Sequence, residues 1–166
     1  MRILAIDPGT TESAWVIEFV VPIAPVGQPR PRATVRNGHA SVYDQKRVKN
    51  KTTGESKAHP IVAFKNAVRA AAKSAYGGDP LSGPVLVAVE FVFPRPQGMV
   101  WKKRPMPRVR HIKRPDRDNC EKALLDAMKG LVFVDDSQVC GGEVTKWIAA
   151  GDEQPHVLVS VWRLEE

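Results

Sequence analysis

The chain has 166 residues, 43% hydrophobic and 26% charged, an ordinary balance for one globular domain with room for a sizeable core. No run of about 18 apolar residues occurs, which excludes a membrane-spanning helix; the start MRILAID does not read as a secretory signal, and two cysteines, Cys120 and Cys140, make neither a disulfide framework nor a zinc pattern, so a reduced, cytoplasmic protein is expected. A net charge of +7 points toward a polyanion such as nucleic acid.

Residues 2–6, RILAI, read as a buried strand, and Asp7-Pro8-Gly9 as a turn. Residues 14–21 read as a second strand, able to pair with the first. A proline-rich connection follows, then Asn37-Gly38, a hairpin-type turn between residues 34–36 and 41–43. Residues 46–56 are polar and basic and read as a loop. From Pro60 to Tyr76, Ile61, Phe64, Val68, Ala71 and Ala72 form a helical stripe, which Gly77-Gly78-Asp79-Pro80 ends. Residues 85–93, VLVAVEFVF, are almost continuously apolar, the pattern of a central strand. Residues 94–115 form a proline-interrupted loop too long for a passive connector. A helix is expected from about Arg117 to Lys129, with Gly130 as its C-cap and the short strand 131–134 after it. Residues 138–149, bent at Gly141-Gly142, and 157–164 complete the strands. The expected fold is α+β: a mixed β-sheet of about five strands with two main helices packed on one face.

Charge is unevenly placed. From Phe93 to Pro115 there is no acid, but Arg95, Lys102, Lys103, Arg104, Arg108, Arg110, Lys113 and Arg114 all occur; a second basic zone runs from Arg30 to Lys51 with Asp44 its only acid. Immediately after the first zone come Asp116 and Asp118 at the mouth of the second helix, Lys122 one turn on, and Asp135-Asp136 after the apolar run. Convergent carboxylates repel each other, so a hard cation is the usual reason to gather them. Acids for a cation beside Lys/Arg for phosphates is what a nuclease requires. The bland reading is a helix cap at Asp116 or Asp118, an i, i+4 ladder of Asp118, Lys122 and Asp126, and a turn at Asp135-Asp136.

Taken in order, Asp116, Asp118, Asn119, Lys122, Asp135, Asp136, Gln138 and Val139, followed by Lys146 and Trp147 and preceded by Arg30–Arg32, closely resemble the motif of the RusA family of Holliday junction resolvases. The resemblance covers about Ile17 to the C-terminus. It implies a homodimeric Mg²⁺-dependent endonuclease, with Mn²⁺ as a substitute cation, acting on branched four-way DNA by symmetric paired nicks in recombination and repair, in a family common in phages and prophages. It implies Asp116, Asp118 and Asp136 as catalytic metal ligands and Lys122 as the essential cation. Asn119 and Asp135 fall to the metal or its surroundings. Arg30, Arg32, Lys102, Lys103, Arg104, Arg108, Arg110, Lys113 and Arg114 are expected to bind DNA phosphates.

Residues 1–16 fall outside that pattern and read as an appended segment, leaving 17–166 as the endonuclease domain. They are similar instead to the opening Ile-Asp-Pro-Gly-Thr of RuvC-type resolvases with an RNase H-like fold, in which the acid, here Asp7, is a metal ligand. No later carboxylates match that second family. Two other readings therefore stand beside the first: an RNase H-like nuclease using Asp7, and a non-catalytic DNA-binding module whose acids are caps.

Overall fold

A computed structural model describes residues 16–43 and 47–164; Asp7 and the expected strand at 2–6 lie outside the described residues. The elements are β1 (Val16–Val21), β2 (Arg32–Arg36), β3 (His39–Tyr43), β4 (Arg47–Lys49), β5 (Ser56–Ala58), α1 (Pro60–Ala75), β6 (Val85–Phe93), β7 (Val109–Arg110), α2 (Arg117–Met128), β8 (Val139–Gly141), β9 (Val144–Ile148) and β10 (His156–Arg163). The fold is α+β with a mixed sheet and two helices, as expected. The main sheet runs β1-β10-β6-β9-β7, with β8 also on β6. β6 pairs parallel with β8 and β9, and the other pairs are antiparallel. No helix among the described residues is long and apolar enough to cross a membrane.

Strand alternation decides which side chains meet the helices. Val85, Val87, Val89, Phe91 and Phe93 of β6 join Ile17, Phe19 and Val21 of β1 and Val157, Val159 and Val161 of β10 in one core. The helices close it with Ile61, Phe64, Val68 and Ala72 of α1 and Cys120, Ala123, Leu124, Ala127 and Met128 of α2. Their i, i+3, i+4 spacing puts each set on one side of its helix. α1 begins with Pro60 at its first position, and His59 Nδ1 accepts from the Ile61 N–H at 3.1 Å.

The reverse face of β6 is covered as well. Ala88 and Val92 are buried there, and Glu90 accepts a hydrogen bond from Arg108. Arg108 also chelates Glu153, so one guanidinium ties the 94–115 segment to the sheet and to the β9–β10 turn. Arg95 donates to the Ala149 carbonyl at 2.9 Å and to the Pro107 carbonyl. The long loop is thus folded around two arginines.

Three expectations are corrected. Residues 131–134 are not a strand: the Leu131 and Val132 N–H groups donate back to the Met128 carbonyl, Gly130 takes φ 72°, and Phe133 makes only isolated bridges to Leu81 and Lys129. The run is apolar because Val132 and Phe133 are buried under the helix end, not because it joins a ladder. The strand at 138–149 is two strands, split at Gly142, whose φ is 138° and where a Cβ would lie 1.9 Å from the Val87 carbonyl oxygen. The loop at 46–56 contains a ribbon, β4–β5, beside the Asn37-Gly38 hairpin β2–β3.

α2 is the crossover between the parallel strands β6 and β9. Its N-terminus therefore lies by the carboxyl end of β6, the position where open α/β sheets place ligands.

Candidate active site

The mouth of α2 is held by Lys146. In the parallel register Lys146 stands opposite Phe91, and its Nζ donates to the Lys113 carbonyl at 2.9 Å and to the Pro115 carbonyl. The chain entering α2 is thereby fixed just before Asp116. Asp116 occupies the N-cap position with φ −68° and ψ 154°, yet its side chain makes no capping hydrogen bond. The simple cap reading thus fails for this residue. Asp118 follows in the first turn, and Asp116, Asp118 and Lys122 are all exposed. Beneath them Cys120 is fully buried, and burial pushes its thiol up to about 11, so it is no nucleophile. His111 stacks on Phe93 at 4.1 Å; burial, then the Lys146 charge, holds its imidazole below the ordinary histidine range.

The second acidic pair sits at the other end of the helix. Lys129, the residue after α2, bridges Asp135 and Asp136, the latter at 3.1 Å. Asp135 caps a short 3₁₀ turn over Asp136–Gln138, accepting the Ser137 N–H at 3.0 Å in a capping box with Gln138. The Gln138 Nε2 donates to the carbonyls of Leu81 at 3.0 Å and Gly83 at 2.7 Å. Lys129 and the Ser137 N–H hold the Asp135 carboxyl well below the usual carboxylate range. Asp135 and Gln138 are therefore braces, and the motif's Asp-Asp-x-Gln run is explained in part by the turn it locks.

The two groups do not meet within one chain. α2 has 12 residues, so its ends lie roughly 18 Å apart at 1.5 Å per residue, with Asp116 at one end and Lys129, which pairs with Asp135 and Asp136, just past the other. Among the described residues no three of His, Cys, Asp and Glu are gathered closely enough to hold a metal ion. Asp116, Asp118 and Lys122 lie on the N-terminal part of α2, whereas Asp136 pairs with Lys129 past its other end. Asp126 is not a ladder partner of Lys122: it pairs with Lys65 of α1 at 3.0 Å and helps hold the two helices together.

An open cavity of about 470 Å³ adjoins Asp116, lined by Gln28, Arg30, Arg114 and Asn119 among others. Lys102, Lys103, Arg104 and Lys113 are exposed along the loop. Arg110 is exposed and lies 3.8 Å over the Trp147 ring. Arg32 lies in β2. Arg108 leaves the phosphate-binding set, because two carboxylates already occupy its guanidinium. Gln28 and Lys129 were not legible as site residues. Lys129 had a faint signal, a lone cation between a helix end and an acid pair; Gln28 had only its place in Gln-Pro-Arg-Pro-Arg.

Mg²⁺ binds through one or two carboxylates and keeps several waters. The Asp116–Asp118 pair fits that donor set by its chemistry.

Comparison with known proteins adds two findings. Residues 22–161 match the family described as endodeoxyribonuclease RusA. Over 150 residues the chain is 30% identical to "Uncharacterized protein YqaN" of Bacillus subtilis (strain 168), covering 87% of this chain and 94% of that protein.

Proposed function

The chain belongs to the RusA endodeoxyribonuclease family, and from that premise we propose that it is a divalent-metal-dependent nuclease that resolves four-way DNA junctions as a homodimer, by paired symmetric nicks, in recombination and repair. The observation that carries this reading is the exposed Asp116–Asp118 pair at the mouth of α2, uncapped, with Lys122 one turn on and a basic loop leading into it. Asp116 and Asp118 would hold Mg²⁺, or Mn²⁺ in its place, and the ion would supply charge stabilisation at the phosphoryl group and an activated water. Lys122 faces the same region and offsets charge developing on the phosphate. Lys113 and Arg114, together with Lys102–Arg104 farther along the loop, hold the flanking backbone.

The same geometry supports the homodimer. Asp136 lies at the far end of α2 from Asp116 and Asp118, so a three-acid site needs Asp136 from a second copy of this chain. A two-fold axis then creates two such sites, which suits two symmetric cuts. Asp135 serves the turn that presents Asp136, and Asn119 supports the α2 mouth through its backbone.

The test is a synthetic four-way junction with a linear duplex control, incubated with and without Mg²⁺. Paired nicks on the junction that disappear in Asp118→Asn and Asp136→Asn, with binding retained, are the expected result. Cleavage unaffected by those substitutions would sink the reading. An RNase H-like nuclease built on Asp7 predicts instead that Asp7→Asn abolishes cleavage; here it should be nearly silent.

A further inference from the structure

We infer that the cavity beside Asp116 seats a backbone phosphate of the cut strand, the one flanking the scissile bond, and that Gln28 is a positioning residue for it. The inference rests on the nuclease reading above. Gly27, Gln28 and Arg30 form one wall, and Arg114, Asp116 and Asn119 the other.

The two walls are joined. The Gln28 N–H donates to the Asn119 carbonyl, in the first turn of α2, at 2.8 Å. The approach is so close at Gly27 that a Cβ there would lie 2.6 Å from the Pro115 Cβ. Glycine is needed at this point for space, not for its φ. The proline-rich strap is therefore set against the residues that enter the active site. Whatever residues 28–30 bind is held at a fixed offset from Asp116.

The donors match a phosphate. Arg30 and Arg114 are exposed, and neither has an ion-pair partner among the described residues. The Gln28 Oε1 is buried with no hydrogen-bond partner among the described residues. Gln28 lines the cavity, and an amide N–H₂ can donate to an anion there. Two guanidiniums and an amide donor make an anion seat with fork geometry. Asp116 at the edge repels a bare anion, so the phosphate sits on the arginine side, a nucleotide away from the cation that Asp116 would hold.

The experiment uses four-way junctions in which a single neutral methylphosphonate replaces one phosphate at a time around the cut position. Binding of the full chain is read by fluorescence anisotropy without added divalent metal. For the unsubstituted chain, affinity should fall about 10- to 100-fold at the flanking position, the loss of charge-assisted hydrogen bonds. Arg30→Ala and Gln28→Leu should bind the unmodified junction more weakly and lose nothing further at that position. Gln28→Leu keeps the backbone bond to Asn119, and Gln28→Glu, which keeps the side chain's size, should prefer the methylphosphonate junction to the unmodified one. Equal losses in the variants and the unsubstituted chain, or no loss at the flanking position, would overturn the seat. Cleavage of the unmodified junction in Mg²⁺ is scored separately: its absence counts against the nuclease reading, while the binding map still decides the seat.

Discussion

If Asp136 is contributed in trans, mixing two dead subunits must regenerate activity. Magnesium–oxygen contacts are about 2.1 Å, so two ligand oxygens on one ion are at most about 4 Å apart. α2, with Asp118 in its first turn and Asp136 paired to Lys129 beyond its last, is roughly 18 Å long at 1.5 Å per residue, well outside the reach of one ion. Consider Asp118→Asn and Asp136→Asn chains mixed in equal amounts under conditions that exchange subunits. Half the dimers are then mixed, and each mixed dimer carries one doubly defective site and one intact site. About a quarter of the normal sites return. Denaturing gels of a four-way junction should show single nicks at about a quarter of the normal rate, without paired nicks, because no dimer holds two working sites. Two differently tagged variants confirm that mixed dimers formed. Activity no greater than the separate variants, in a sample shown to contain mixed dimers, would refute the trans arrangement. So would full junction cleavage by a chain that sedimentation shows to be monomeric.

Other consequences are open to simpler measurements. Arg108→Ala should lower unfolding free energy by about 2 kcal/mol in urea titrations, because Glu90 and Glu153 lose their shared cation; the sites are part-exposed, which keeps the cost below that of a fully buried pair. Junction affinity should change little if Arg108 is indeed spent on those acids. Gly142→Ala should cost about 3 kcal/mol or more, since φ 138° and the Val87 carbonyl both oppose a Cβ; a melting temperature equal to the parent's would contradict that. His111 is held neutral by burial, so its folded pKa lies below its unfolded value, and the unfolded chain takes up the proton first. Stability should therefore be full above about pH 6.5 and decline as pH falls below it, and His111→Phe should flatten that decline. Lys129→Ala should lower the Mg²⁺ concentration needed for half-maximal cleavage, because Lys129 competes with a cation for Asp136; an increased requirement would argue that Lys129 instead positions that carboxylate.

Much of this was legible because period and punctuation agreed. The stripe of Ile61, Phe64, Val68 and Ala72 and the stop at Gly77-Gly78 placed α1, and the apolar run at 85–93 placed the central strand to the residue. The acids at Asp116 and Asp118 were readable because a helix mouth is a local feature. The failures were tertiary. Leu131–Val134 is as apolar as a strand, but Gly130 and the returning hydrogen bonds to Met128 turn it under the helix. Asp126 has Lys122 four residues before it, yet Lys65, on another helix, outcompetes it. Charge alone put Arg108 among the phosphate binders, and nothing in the local sequence announces Glu90 and Glu153. The arrangement of the acids was also not legible: Asp116 and Asp136, 20 residues apart in sequence, stand toward opposite ends of α2, and no three such ligands gather among the described residues.

That helix length has a kinetic meaning. If, as proposed, the metal-binding acids of one site come from two chains, a single chain is inert by itself, and activity at low concentration rises with the square of the amount of protein. A strand-cutting protein made this way stays silent at trace levels and switches on when expression, or a shared DNA branch point, brings two copies together. On that proposal the 12 residues of α2 would act as a safety interlock as well as a scaffold.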